Sequence, residues 1–240
     1  MLPLRLPTLA RLAAFAASFL VPAAACAQLG GSVLLESDQR LRGVSLSNRK
    51  PAARLTVAYD HPGGAYAGAS ATSVEFDPGQ RHAALLGYLG YGGRTATGLA
   101  WDAGATYSHF AGDSRYDYGE VFAGVMGQRW SARLYHAPDY YGLGLRTVYG
   151  ELDAGLPLPR VGRVFGHLGA LWRLGGAPAA YGVPAAQSER IRYDARLGAA
   201  LRVQACELQL AWVGSSGGNS YPMAQGQSRS TVVLSASYAF

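Results

Sequence analysis

From Val33 onward the chain divides into segments of roughly ten residues in which apolar and polar side chains alternate, broken by Gly, Pro, Asn and Asp. Period two sends successive side chains to opposite faces of a β-strand. Between Ile191 and Val203, one face carries Ile191, Tyr193, Ala195, Leu197, Ala199, Leu201 and Val203. The other carries Arg192, Asp194, Arg196, Gly198, Ala200 and Arg202. Leu55, Val57 and Tyr59 likewise oppose Arg54, Thr56 and Asp60, and Leu208, Leu210 and Trp212 oppose Glu207, Gln209 and Ala211. One face suits hydrocarbon and the other suits water. No helix-period segment of useful length follows residue 27.

The pattern predicts twelve strands, at 33–45, 52–60, 65–76, 81–91, 98–110, 118–127, 129–137, 147–156, 163–174, 190–203, 206–214 and 230–240. The third and fourth are rich in Ala and Gly, and their faces are ambiguous. An even number brings both chain ends to one side, as an up-and-down barrel of antiparallel transmembrane strands requires. Connections near 61–64, 92–97, 128, 157–162 and 204–205 are shorter than those near 111–117, 138–146, 175–189 and 215–229. Short turns inside and longer loops outside are the asymmetry of outer-membrane barrels. The expected fold is therefore all-β, a closed transmembrane barrel of about 12 strands.

Composition agrees with that expectation. There are 32 Gly and 15 Tyr, and charged residues make up only 15%, against about 25% in an average soluble domain. After residue 27 no apolar run reaches the roughly 18 residues of a transmembrane helix. Residues 1–27 have the layout of a cleaved secretory signal: Arg5 and Arg11, an apolar run from Leu12 to Val21, then small residues ending in Ala25-Cys26-Ala27. Cleavage would leave 28–240 as the barrel domain and remove Cys26; a rival reading makes Cys26 the lipid-bearing first residue, although Ala23 stands where a large aliphatic residue is usual. Cys206 then remains alone, so no intrachain disulfide can form. It is expected to be a small filler near a turn. Loss of the two signal arginines lowers the formal charge from +6 to +4. The remaining arginines recur singly rather than in a patch with aromatic neighbours, which excludes a nucleic-acid binder.

The final segment places Val232, Leu234, Ala236, Tyr238 and the terminal Phe240 on one face. An aromatic last residue on an alternating strand resembles the signal read by the barrel-assembly machinery, with Tyr238 and Phe240 as its candidates. Trp101, Tyr107, Trp130, Trp172 and Trp212 are candidates, with Tyr238, for the aromatic girdles at the two membrane interfaces.

Charges on the polar faces cannot meet lipid cheaply, since each costs up to about 2 to 4 kcal/mol at mid-membrane. The first segment puts Glu36, Asp38, Arg40 and Arg42 on one face. With Arg54, Asp102, Glu120, Arg133, Glu151, Asp153, Arg192, Asp194, Arg196, Arg202 and Glu207 they are the expected lumen lining. Opposed acidic and basic walls would select small polar or charged solutes in a narrow, porin-like channel formed by one chain. If the same charges pair across the lumen, they plug it and leave a structural barrel. Outer-membrane lipid, lipopolysaccharide, the assembly machinery and small solutes are the expected partners, with no cofactor.

An enzyme reading needs a nucleophilic serine beside a histidine. Ser108-His109 and Ser131 with His136 are the suggestive pairs. Neighbours in a strand face opposite ways, and Ser131 stands five positions from His136, so a lipid-modifying activity is the weaker alternative and no catalytic residue is assigned. His61, His82 and His167 lack metal-ligand spacing. The Gly87–Gly93 phrase lacks the helix and lysine of a phosphate loop, and reads as strand glycine.

Several phrases resemble a known family. Ser37-Asp38-Gln39-Arg40-Leu41-Arg42-Gly43-Val44-Ser45-Leu46-Ser47, followed by Lys50-Pro51-Ala52, is similar to the opening S-D-x-x-x-R-G-x-S-x-S…P-A of the proteobacterial TorF family, also called Gcw_chp. Trp101-Asp102-Ala103-Gly104-Ala105-Thr106-Tyr107 and the run from Asp117 to Gly124 resemble its D-x-G-x-x-Y strand and its Tyr-x-Glu-Val element. Asp139-Tyr140-Tyr141-Gly142 and Tyr149-Gly150-Glu151 continue the order. Gln39 departs from the expected aromatic, and the C-terminal third matches only as generic barrel sequence. The resemblance implies an outer-membrane barrel with a porin label, and brings no substrate or catalytic residue with it.

Overall fold

The computed structural model describes residues 29–75, 79–159, 162–175, 190–216 and 229–240. Residues 1–27, expected from the sequence to be a secretory signal, and most of the connections at 175–189 and 215–229 lie outside the described residues.

Twelve strands close into one antiparallel barrel. They are β1 (Leu29–Glu36), β4 (Ala52–Asp60), β5 (Ala65–Glu75), β6 (Arg81–Arg94), β7 (Ala100–Phe110), β8 (Tyr118–Met126), β9 (Trp130–Ala137), β10 (Arg146–Leu158), β11 (Gly162–Gly175), β12 (Ile191–Val203), β13 (Cys206–Ser215) and β14 (Ser230–Ala239). Each pairs with its neighbours in sequence, and β14 returns to β1 with Leu35 opposite Ala236. Closure satisfies the backbone of every wall strand, which hydrocarbon demands because it offers no hydrogen bonds in exchange. Phe240 completes the seam. Its backbone exchanges two hydrogen bonds with Gly31, at 2.9 and 3.0 Å, and a side chain at Gly31 would meet its ring. Cys206 opens β13 as an exposed free thiol rather than a packed filler.

Two remaining strands, β2 (Arg40–Leu41) and β3 (Val44–Ser45), form a separate hairpin. This corrects the expectation of a first strand running to 45. The wall strand stops at Glu36, and residues 37–51 turn away from the sheet. The hairpin reverses at a two-residue turn, Arg42-Gly43, with φ of 49° and 79°, the left-handed pair that tight hairpins use.

Alternation sorts the wall. Large apolar side chains such as Leu89, Leu134, Leu168, Leu197 and Leu234 point outward and stay exposed. So continuous an apolar band is far larger than a soluble monomer presents to water. Aromatic side chains flank it in two groups. Tyr59, Tyr91, Trp101, Trp130, Tyr238 and Phe240 stand near the rim of short turns; Tyr107, Trp172, Tyr193 and Trp212 stand toward the rim of loops. All the girdle candidates named from the sequence face outward. The ambiguous faces of β5 and β6 resolve because Tyr66 and Tyr88 both turn inward, with ring centroids 6.3 Å apart. Gly68 and Gly90 lie beneath those rings, where any Cβ would collide with the opposing tyrosine.

Candidate functional site

The lumen is divided along its axis. In the loop-side half, the β2–β3 hairpin crosses the barrel from the β1–β4 wall to the β12–β13 wall. Its tip, Gly43, lies so close to Asp194 and Ser215 that a side chain there would strike both. The hairpin is stiffened from within. Asp38 accepts hydrogen bonds from Arg40 at 2.7 Å and from Ser45 at 2.5 Å, and Arg40 donates to the Gly43 carbonyl at 2.8 Å.

Arg42 fastens the tip. Its guanidinium donates to both carboxylate oxygens of Glu120, at 2.8 and 3.0 Å, and lies 4.1 Å from the centre of the Tyr149 ring, with Tyr140 and Tyr135 also in range. Both charged side chains are nearly sealed from solvent, at 6% and 7% exposure. A buried ion pair of this kind holds position strongly, because removing one partner strands the other charge at a cost of about 3–5 kcal/mol. Arg192, also buried, donates to the Arg42 carbonyl at 3.4 Å.

Around this pin lies an apolar core formed by Val44, Phe110, Tyr118, Ala137, Tyr140, Tyr141, Leu143, Leu145, Tyr149 and Leu171. The loop between β9 and β10 folds inward to supply the middle members. Tyr141 adopts φ 56° and ψ 30°, a conformation costing an L-residue about 1–2 kcal/mol. Its complete burial against Phe110 and Tyr118 offsets that strain.

The turn-side half is polar. Asp102 accepts from Arg133 at 2.6 Å and from Tyr66 at 2.9 Å. Across the lumen, Arg163 donates to Glu207 at 2.8 Å, Gln209 donates to Glu207 at 2.7 Å and Arg196 donates to Gln209 at 3.1 Å. Tyr135 donates to Glu151, while His167 bridges Asp153 and Asp194 at 2.8 and 3.0 Å. Arg54 donates to Thr72, and Glu36 accepts from Ser235. A cavity of about 510 Å³ lies between the hairpin and these walls, bordered by residues of both signs, including Glu36, Arg54, Glu151, Asp153, Arg163 and Arg196.

Most of the charged residues singled out in the sequence thus face the interior, but three change role and one changes place. Asp38, Arg40 and Arg42 belong to the hairpin that fills the lumen, not to its wall. Arg202 stands at the turn rim with its side chain 75% exposed, 3.7 Å from Glu207. Tyr135, Tyr140, Tyr149, Arg163 and His167 were missed. Strict alternation from Leu168 and Leu152 would have put Arg163, His167 and Tyr149 on the inner face; the buried loop carrying Tyr140 left no periodic signal. The two serine–histidine pairs are each split by the wall. Ser108 faces the cavity while His109 pairs with Asp117 at 2.6 Å, and Ser131 and His136 fall on opposite faces of β9, His136 bonding to the Thr147 carbonyl.

At the loop rim, past Ala71, the last outward apolar residue of β5, Glu75 accepts from Lys50 at 2.5 Å and from the Gly79 amide at 2.9 Å. The Lys50 ammonium and that amide lower its carboxyl to about 2. This contact secures the return limb of the hairpin.

A closed antiparallel barrel of twelve strands with an apolar outer wall is the outer-membrane type of β-barrel fold. Within that class the chain belongs to the Gcw_chp family, bacterial proteins of unknown function, whose pattern matches residues 21–231. No curated protein matches it at a significant level. Among solved structures, a membrane protein from a study of in-meso crystallization shares the barrel fold, with a TM-score of 0.53 at 8% identity, over 89% of this chain and 83% of that one. OccAB3 of Acinetobacter baumannii aligns with a TM-score of 0.45 at 7% identity, over 86% of this chain and 59% of that one. An outer membrane channel from Pseudomonas putida F1 aligns with a TM-score of 0.44 at 12% identity, over 88% and 94%.

Proposed function

We propose that the protein is an outer-membrane, porin-like channel for small hydrophilic or charged solutes, closed at its loop side by the 37–51 hairpin. The observation that carries this reading is the 510 Å³ cavity of mixed charge, roofed by a segment whose tip is pinned through one arginine. A lumen bordered by both signs sets up a transverse field that favours small polar solutes over apolar ones. The apolar band with its flanking aromatics supports contact with outer-membrane lipid and lipopolysaccharide. The seam closed by Phe240 supports recognition of the last strand by the barrel-assembly machinery.

Planar-bilayer recording on the refolded chain tests the channel. The unaltered protein should show small, infrequent conductance steps, and Arg42→Ala should raise open probability and step size several-fold. Silence in both, and in a variant lacking residues 38–49, would establish instead a permanently plugged structural barrel. The apolar core above the cavity is the feature that favours that second reading.

A further inference from the structure

We propose that Glu151, Asp153 and His167 form a binding site for one divalent transition-metal cation in the wall of the lumen. Strand pairing builds the group. Asp153 on β10 stands directly opposite His167 on β11, and Glu151 lies two residues earlier on the same inner face. One ligand atom from each lies within 4.8 Å of the others. Bonds of about 2.0–2.2 Å to a central ion therefore require movements of only about an ångström.

The imidazole is held as a metal ligand is held. One ring nitrogen, Nε2, lies 3.0 Å both from Asp194 Oδ1 on β12, a carboxylate 4% exposed, and from the Tyr149 hydroxyl, which itself donates to Asp194. The other, Nδ1, faces Asp153 at 2.8 Å, and that carboxylate is 48% exposed toward the cavity. A ligating histidine characteristically donates its second N–H to a carboxylate, which fixes the ring and raises its basicity. The asymmetry of burial decides the direction: Nδ1 is the open side, where the ion and its water molecules would sit, and Nε2–H is the closed, oriented side.

The charges around the ring are Glu151 and Asp153 from β10, Asp194 and Arg196 from β12, and Arg42 from the hairpin. Arg42 is engaged by Glu120, and Arg196 donates to Gln209. One imidazole with two carboxylates suits Zn²⁺ and its neighbours in the transition series better than Mg²⁺ or Ca²⁺, which prefer all-oxygen sites. A ligating imidazole nitrogen must be unprotonated, so a proton held on Nδ1 passes to solvent when the ion takes its place. Affinity must then fall as pH falls.

The test is calorimetric titration of Zn²⁺ into the untagged full-length chain, refolded in detergent, repeated in two buffers of different ionisation heat. One ion per chain with proton release is expected, and Mg²⁺ should give no heat of binding. His167→Gln and Asp153→Asn should each weaken Zn²⁺ at least tenfold. Asp194→Asn, removing the orienting partner, should weaken it about tenfold while keeping one ion per chain. His61→Gln should change nothing. Heat-modifiable gel mobility verifies that each variant is folded, and Asp153→Asn, partly exposed, carries the test if His167→Gln misfolds. No binding to the unaltered chain at millimolar Zn²⁺, or unchanged affinity in the folded variants, overturns the site. Neither outcome depends on whether the barrel conducts, so this proposal and the channel can fail separately.

Discussion

The two halves of the lumen solve the same problem in opposite ways. Both must fill the inside of a twelve-stranded wall. The loop-side half imports chain, bringing in the hairpin and the 138–145 loop, and packs them as a soluble protein packs a core: Phe110, Tyr140 and Tyr141 buried, one ion pair sealed among aromatic rings. The turn-side half imports nothing, and its wall side chains reach inward to bond each other, leaving water-sized space between charged groups. Close packing therefore belongs to the loop side, and open space between polar groups to the turn side. A hydrophobic effect operates inside this barrel but not outside it, because the interior competes with water whereas the outer wall competes with lipid.

Substitutions can break that contrast. Phe110→Ala should have the largest effect, about 3–5 kcal/mol through loss of a buried ring in the loop-side core; thermal unfolding of the refolded barrel, read by gel mobility, checks it. Arg42→Ala should be of similar size locally, because it leaves Glu120 buried without its charge partner. Increased protease cleavage or amide exchange confined to 37–51 would mark hairpin release with the wall intact. Gly90→Ala on the turn side should cost less, about 1–3 kcal/mol, by pushing a methyl against Tyr66. Arg196→Gln should leave stability nearly unchanged and shift the reversal potential toward cations, which a salt gradient across a bilayer would reveal.

The smallest effect is a pH dependence at Glu75. Its carboxyl is held at about 2, below the ordinary value of 4.5, so the folded state favours its ionised form. The stabilisation is fully present above about pH 5 and is lost as pH falls through the folded value. Glu75→Gln should abolish that acid-side loosening of the hairpin limb, followed by amide exchange between pH 6 and pH 3.

Much of the wall was legible. Tyr193, Leu197 and Leu201 alternate with Arg192, Asp194 and Arg196 in the sequence as they do across the barrel wall, because a strand allows no other assignment once one face meets lipid. The hairpin was not legible. Glu36, Asp38, Arg40 and Arg42 continue the alternation of β1 without interruption, so period alone extends the strand to 45. The reversal at Arg42 and Gly43 and the distant partners Glu120 and Tyr149 hold the segment inside the barrel, and none of them shows in the period. His167 was passed over for a related reason: its neighbours Asp153 and Asp194 lie 14 and 27 residues away along the chain and become adjacent only through strand register.

By itself, then, the sequence determined the number of wall strands and, where apolar and polar residues alternate clearly, which side chains face out, since these follow from period two and from the exclusion of unpaired backbone by lipid. Tertiary structure alone decided what fills the barrel. Which inward side chains meet depends on the register of strands one or two apart in the wall and on how far a loop can fold back, and neither is written in local periodicity.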